Sequence, residues 1–289
     1  MFKKIYIEIT TMCNFKCDFC IPCGREARMM SFIEFEEVIK KVCNYTKIVT
    51  LHVKGEPLLH KNLEGILDII HKYNLQVNIT TNGTLIKENL DVLKNAKCIK
   101  QINFSLHSYN QNDHMSSLYL KNIFDCVSEL DGITISYRLW NLEDIRNNDV
   151  NSYIISELEN YYELNDLKEK LKLKNAFEIN EHIYINQDIE FTWPSMKGEK
   201  IIEKGKCWAL RKQIAILVDG TVVPCCLDNN GDIPLGNIFE EDLESILNKE
   251  NTKFIKDNFG NGKIVCDLCK TCGFLKRLEN KRIKNKELL

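Results

Sequence analysis

The sequence has almost no excess of charge, with 39 Lys and Arg against 41 Asp and Glu. No global field therefore favours nucleic acid, and only a local basic patch could do so. The chain also lacks a long apolar run. Its first hydrophobic stretch, Ile5 to Ile9, is interrupted by Glu8 and ended by Thr10. That excludes a signal-peptide core at this position, and no later run approaches the ~20 apolar residues of a membrane-spanning helix. The expectation is a cytoplasmic protein with no membrane partner and no clear nucleic-acid signal. Hydrophobic residues make up 44% of the 289 positions, enough for one large domain with an appendage.

Cysteine, by contrast, is abundant. Thirteen cysteines in a chain without a secretion signal are too many for an ordinary reduced enzyme. Cys43, Cys98 and Cys126 stand alone and read as small buried core side chains. Cys13, Cys17, Cys20 and Cys23 gather near the start, and Cys207, Cys225, Cys226, Cys266, Cys269 and Cys272 in the last third. Three thiolates at the Cys13, Cys17 and Cys20 spacing can hold one [4Fe–4S] cluster and leave its fourth iron open to a small molecule. On spacing alone Cys23 could instead complete a structural zinc site, and a zinc ribbon competes for the distal set.

Apolar patterning predicts alternating strands and helices. The strand Ile5 to Ile9 leads into the cysteine loop, and Ser31 to Glu34 reads as a capping box opening a helix to about Cys43. Further β–α pairs follow at Ile48 to Val53, Val77 to Thr80, Ile99 to Leu106 and Ile133 to Leu139. Such repeats imply a parallel sheet with right-handed crossovers, either barrel-like or doubly wound. The cysteine loop, Lys54-Gly55-Glu56-Pro57 and Thr80-Thr81-Asn82-Gly83 all fall just past strand C-termini, where parallel α/β folds place ligands. One helix is expected through Tyr153 to Leu173 and a sixth strand within His182 to Phe191. Then come an Asp219-Gly220 two-residue hairpin turn and a helix from about Glu241 to Phe259. The basic tail from Lys276 to Leu289 reads as a solvated helix end or frayed terminus.

The C-x3-C-x2-C loop, with Phe19 before its last cysteine, and the Gly-Glu-Pro turn resemble the radical S-adenosylmethionine (radical SAM) family. Cys207-x12-Gly220-x4-Cys225 followed by a C-x2-C pair resembles that family's SPASM or shortened twitch extension. The resemblance implies a partial (β/α)6 barrel over residues 1–206. A small hairpin-plus-helix domain over 207–289 would carry an auxiliary [4Fe–4S] cluster. It implies that Cys13, Cys17 and Cys20 hold the first cluster, that SAM takes the open iron, and that Cys23 is accessory. Phe19, Gly55, Glu56, Asn82, Ser105 and Arg138 are the implied SAM contacts, although Lys54 stands where the family motif has its first glycine. The family's arginine on the helix after the fourth strand is not evident, and Arg138 is the substitute. The auxiliary ligands are expected to be Cys207, Cys225, Cys269 and Cys272, with Cys226 and Cys266 as alternates and three-thiolate ligation as a variant. The implied partner is a low-potential reductant such as ferredoxin or flavodoxin. The expected reaction is hydrogen abstraction by a 5′-deoxyadenosyl radical, leading to oxidation of a small alcohol or sugar. Maturation of a peptide or protein is the alternative, disfavoured because only four residues precede the first strand. A non-enzymatic zinc or electron-transfer protein is the third reading, and the Gly55-Glu56 turn speaks against it.

Overall fold

The computed structural model describes residues 1–21, 24–111, 118–142 and 148–278. Cys23 and most of the basic tail lie outside the described residues. In chain order the elements are β1 (Lys4–Ile7), α1 (Phe32–Val42), β2 (Ile48–Thr50), α2 (Leu63–Lys72), β3 (Gln76–Thr81), α3 (Leu90–Asn95), β4 (Ile99–Phe104) and α4 (Tyr119–Val127). They continue with β5 (Thr134–Trp140), α5 (Asn148–Tyr162), α6 (Leu167–Leu173), β6 (Ala176–Asn180), β7 (Ile183–Asp188), β8 (Gln213–Ile216), β9 (Thr221–Val223) and β10 (Gly236–Asn237). Helices α7 (Leu243–Asn248), α8 (Glu250–Gly260) and α9 (Asp267–Lys270) follow.

Helix α1 starts at the expected capping box. Ser31 Oγ accepts from Glu34 N at 3.3 Å, and the Glu34 carboxylate accepts from Ser31 N at 2.8 Å. Its face of Phe35, Val38, Ile39 and Val42 is fully buried, at about 1.5–3 kcal/mol for each large side chain. The same logic repeats around the sheet. Strands β1, β2, β3, β4, β5 and β7 pair in parallel in that order, forming an open six-stranded partial barrel. Ile5, Ile7 and Ile9 belong to the main core with the helix faces. Tyr6, by contrast, packs on the other face with Val53, Ala215, Leu217 and Val223. Because side chains alternate along a strand, the inward face carries Lys4, Tyr6 and Glu8 on β1 and Arg138 on β5.

Several sequence expectations are adjusted. The sixth parallel strand exists as β7, but β6 pairs with it antiparallel and was not foreseen. The single helix through Tyr153 to Leu173 is two, because Glu163 and Asp166 adopt left-handed backbone, φ 53° and 57°, between α5 and α6. The helix ending at Phe259 is also two, broken where Lys249 turns extended at ψ 144°. The hairpin turn is longer than two residues: Leu217 N bonds Thr221 O and Gly220 N bonds Leu217 O, with Gly220 at φ 85°. Gly220 thus takes the left-handed position of a three-residue loop. Strand β8 pairs in parallel with β1 from Lys4↔Gln213 to Ile7↔Ile216, so the hairpin extends the same sheet.

Candidate functional site

The cysteine loop leaves the C-terminal end of β1 and is braced at three points. Gly55, at φ 75°, lets the following turn pass beneath it, where an added Cβ would lie 2.3 Å from Thr10 O. Glu56 N then donates to Met12 O at 2.8 Å. Asn14 bonds Asn82 Nδ2 at 2.8 Å and Thr84 Oγ1 at 2.7 Å. Arg25 spans the loop's far end: its Nη2 meets both Glu8 carboxylate oxygens at 2.7 Å, and its Nε donates to Asn229 O at 2.9 Å.

Glu8 is the node that sequence reasoning missed. Fully buried on β1, it also accepts from Lys54 N at 3.1 Å and Val218 N at 3.0 Å. Strand, cysteine loop, Gly-Glu turn and C-terminal hairpin therefore meet at one carboxylate. Burial pushes its pKa up, against the opposing pull of Arg25. The available sequence signal was a charged residue at an otherwise apolar strand end.

The expected SAM contacts divide. Glu56 is buried, and its carboxylate accepts from Leu58 N at 3.0 Å, Thr81 Oγ1 at 2.7 Å and Asn82 N at 2.7 Å. Those bonds fill three of its roughly four acceptor positions, and burial still raises it to about 7. The Asn82 side chain is engaged with Asn14 and Thr84. Gly55, Glu56 and Asn82 thus lie together beside the cysteine loop. Ser105 joins them through its N–H to Thr81 O at 2.9 Å.

Phe19 sits elsewhere, in an aromatic trio. Its centroid is 5.0 Å from His107 and 4.9 Å from Trp140, and those two rings stack at 4.1 Å and 8°. His107 Nδ1 bonds Arg138 O at 3.0 Å, so that nitrogen carries the proton, and desolvation holds the ring neutral with its pKa lowered to about 3. Phe19, Cys20, Asn141, Phe191 and Trp193 line an open groove of about 670 Å³. A cleft of similar volume, near Ser128, Gly132 and His182, lies at the N-terminal end of the strands, away from both cysteine sets. Arg138 departs from the other candidates, since its charged and polar neighbours are Tyr6, Asp188 and Cys226.

Donor chemistry in the two cysteine sets fits iron–sulfur clusters. Cys13 and Cys20 are exposed, and Cys13 Sγ accepts from Phe15 N at 3.4 Å, as a ligating thiolate would. Cys207, Cys225, Cys269 and Cys272 line one small apolar cavity of about 40 Å³. Burial raises the Cys207 and Cys225 thiols and takes Cys272 to about 11, so a bound cation is needed to ionise them. Among the described residues no three His, Cys, Asp or Glu side chains converge on a position for a single ion. One zinc would need its sulfurs about 2.3 Å from a common point; a four-iron cube takes thiolates spread around it. Cys266 pairs with Cys269 at the rim of this set. Cys226 turns instead toward Tyr6, Val53 and Ala215.

Comparison with known proteins agrees with this geometry. The radical SAM superfamily profile matches residues 7–156, and the SPASM iron-sulfur cluster-binding domain profile matches residues 207–273. A GTP 3′,8-cyclase of Aquifex aeolicus is 33% identical over 137 residues, 43% of this chain and 42% of that protein. The chain thus matches less than half the length of this curated relative. Streptococcus suis SuiB bound to precursor peptide SuiA superposes with TM-score 0.63 at 17% identity, over 96% of this chain and 71% of that one. BtrN in complex with AdoMet and 2-DOIA superposes with TM-score 0.53 at 16% identity, over 94% and 93%. Among the described residues no helix is long and apolar enough to cross a membrane.

Proposed function

The chain belongs to the radical SAM superfamily and carries a SPASM iron–sulfur domain, and from that premise we propose that it oxidises a small polar molecule by hydrogen abstraction. When bound, the family's cluster and SAM would supply the hydrogen-abstraction chemistry. The protein's part is positional. Cys13, Cys17 and Cys20 would hold the first cluster, while Gly55 and Glu56 shape the seat for the methionine end of SAM beside Asn82 and Ser105. The Phe19, His107 and Trp140 rings form one wall and exclude water. Cys207, Cys225, Cys269 and Cys272 would hold one auxiliary cluster, able to accept the electron released when the substrate radical is oxidised, while a reductant such as ferredoxin or flavodoxin would supply the electron that starts SAM cleavage.

The observation that carries the reading is Glu8. Its carboxylate joins the first cysteine loop, through Arg25, to the hairpin that bears Cys225. This link between the two cysteine sets supports a reading in which electrons pass between two centres. Protein reconstituted anaerobically should hold about eight irons and release 5′-deoxyadenosine under dithionite. With candidate substrates deuterated at carbon, transfer of one deuterium into 5′-deoxyadenosine should accompany a two-electron product that has also lost one proton. Zinc in place of iron, or SAM cleavage undiminished in Cys17→Ala, would overturn it.

Peptide modification is the second reading. It is favoured by the likeness to SuiB, a protein whose structure holds a precursor peptide, and by the open groove beside Phe19 and Trp193.

A further inference from the structure

Facing inward from β1 and β5 are two cations that make no ion pair among the described residues. The first is Arg138, which lies near Tyr6, Asp188 and Cys226 and also near Lys4, His52 and Arg277. The second is Lys4, whose ammonium rests 4.8 Å over the Tyr6 ring. Nearby carboxylates are already matched. Glu8 is held by Arg25, and Asp188 pairs with Arg277 at 2.8 Å. Both cations are partly buried, and partial withdrawal from water favours the arrival of a counter-charge.

Unsatisfied polar atoms lie on the same inward face. Thr50 Oγ1, His52 Nδ1 and Asn78 Oδ1 are buried without hydrogen-bond partners. They belong together: Tyr6 is in register with Thr50, Thr50 with Asn78, and His52 meets the Tyr6 ring edge-on at 5.5 Å. Buried polar groups are normally paired, so three neighbouring exceptions beside two cations without a close ion pair describe a seat for a polar ligand.

Resting on the small-molecule reading above, we propose that this inward face binds the substrate through an anionic group, a carboxylate or phosphate, seated between Arg138 and Lys4. Hydroxyl groups of the same molecule meet Thr50, His52 and Asn78. The guanidinium offers a planar fork and the ammonium a point charge, a combination suited to either oxyanion. The chain beyond β7 is tied to the cysteine-bearing segment by Gly273 N to Thr192 O at 3.0 Å and Ser195 N to Thr271 Oγ1 at 2.9 Å.

The test is calorimetric titration of reconstituted, SAM-loaded protein with inorganic phosphate, malonate and glycerol. At least one anion should bind saturably and glycerol should not; the preferred anion then separates phosphate from carboxylate. Arg138→Gln and Lys4→Met should each weaken that anion by about tenfold or more, with Arg138→Lys in between. Near-UV circular dichroism checks each variant's fold, and if Arg138→Gln is unfolded, Arg138→Lys and Lys4→Met carry the comparison. Absence of anion binding overturns the proposal, as does binding that all variants leave unchanged. Weakened SAM binding with unchanged anion binding in Arg138→Gln also overturns it, because Arg138 would then hold the cofactor. SAM cleavage without anion binding removes this site alone; anion binding by protein that forms no 5′-deoxyadenosine removes the catalytic reading and leaves the site.

Discussion

The ammonium of Lys54 donates to the Cys20 thiol across 3.1 Å, at a position where the family motif has glycine. The same ammonium also reaches Ile21 O and lies 5.3 Å from the centre of the Trp193 ring. The aliphatic stem of Lys54 is buried, so the charge is aimed at the sulfur by packing. A cation hydrogen-bonded to a cluster ligand favours the reduced, more negative state. Lys54→Met should therefore lower the midpoint potential of the first cluster by tens of millivolts, on a scale of about 59 mV per tenfold change in equilibrium for one electron. A redox titration followed by electron paramagnetic resonance measures it; an unchanged midpoint would show that the contact only anchors the loop.

Glu8 is fully buried and pairs with the partly buried Arg25, so removing one partner strands the other. Glu8→Ala should cost about 3–5 kcal/mol in chemical denaturation. Glu8→Gln with Arg25→Met should recover part of that loss, because neither charge is left unpaired. If the single and double variants are equally stable, the pair is not the node that joins loop to hairpin.

Gly55 has no room for a side chain. Gly55→Ala should abolish SAM cleavage and lower the melting temperature, since Thr10 O and Met12 O are backbone atoms that cannot step aside. Gly132 is the control. It also has positive φ, 70°, but faces open space, so Gly132→Ala should cost only about 1 kcal/mol and leave SAM cleavage intact.

Iron content separates the distal cysteines. Cys225→Ser or Cys269→Ser should reduce bound iron from about eight to about four per chain, whereas Cys226→Ser should leave it near eight. Equal losses in all three would place Cys226 among the ligands and redraw the auxiliary site.

Glu56 gives a pH dependence of defined sign. Its pKa rises from 4.5 to about 7 because burial penalises the carboxylate more than its three donors favour it. The folded state therefore binds a proton that the unfolded state has lost, and the associated stability, up to about 3 kcal/mol, declines as pH rises from 4.5 through 7. Denaturation of wild type and Glu56→Gln at pH 5.5 and pH 8 isolates the effect. Wild type should lose more stability over this interval, and parallel losses would contradict the assignment.

The sequence by itself determined the alternation of strand and helix, the ends of α1, the strand-end placement of the cysteine loop, and the pairing of that loop with a Gly-Glu-Pro turn. These are local features: period-2 and period-3.6 patterning, a capping box, and turn residues whose backbone demands are set within a few positions. The breaks between α5 and α6 and between α7 and α8 escaped it because left-handed or extended residues there are neither glycine nor proline. Only the tertiary structure decided which face of β1 meets which partner. It turned Cys226 toward Tyr6 while Cys225 lines the distal cavity, and brought Arg25 onto Glu8 and Lys54 onto Cys20. It also grouped Arg138 with Lys4 and His52 instead of with Glu56 and Asn82. Those relations depend on strand register and sheet curvature across separations of up to 210 residues, as for Glu8 and Val218, and no local pattern encodes them.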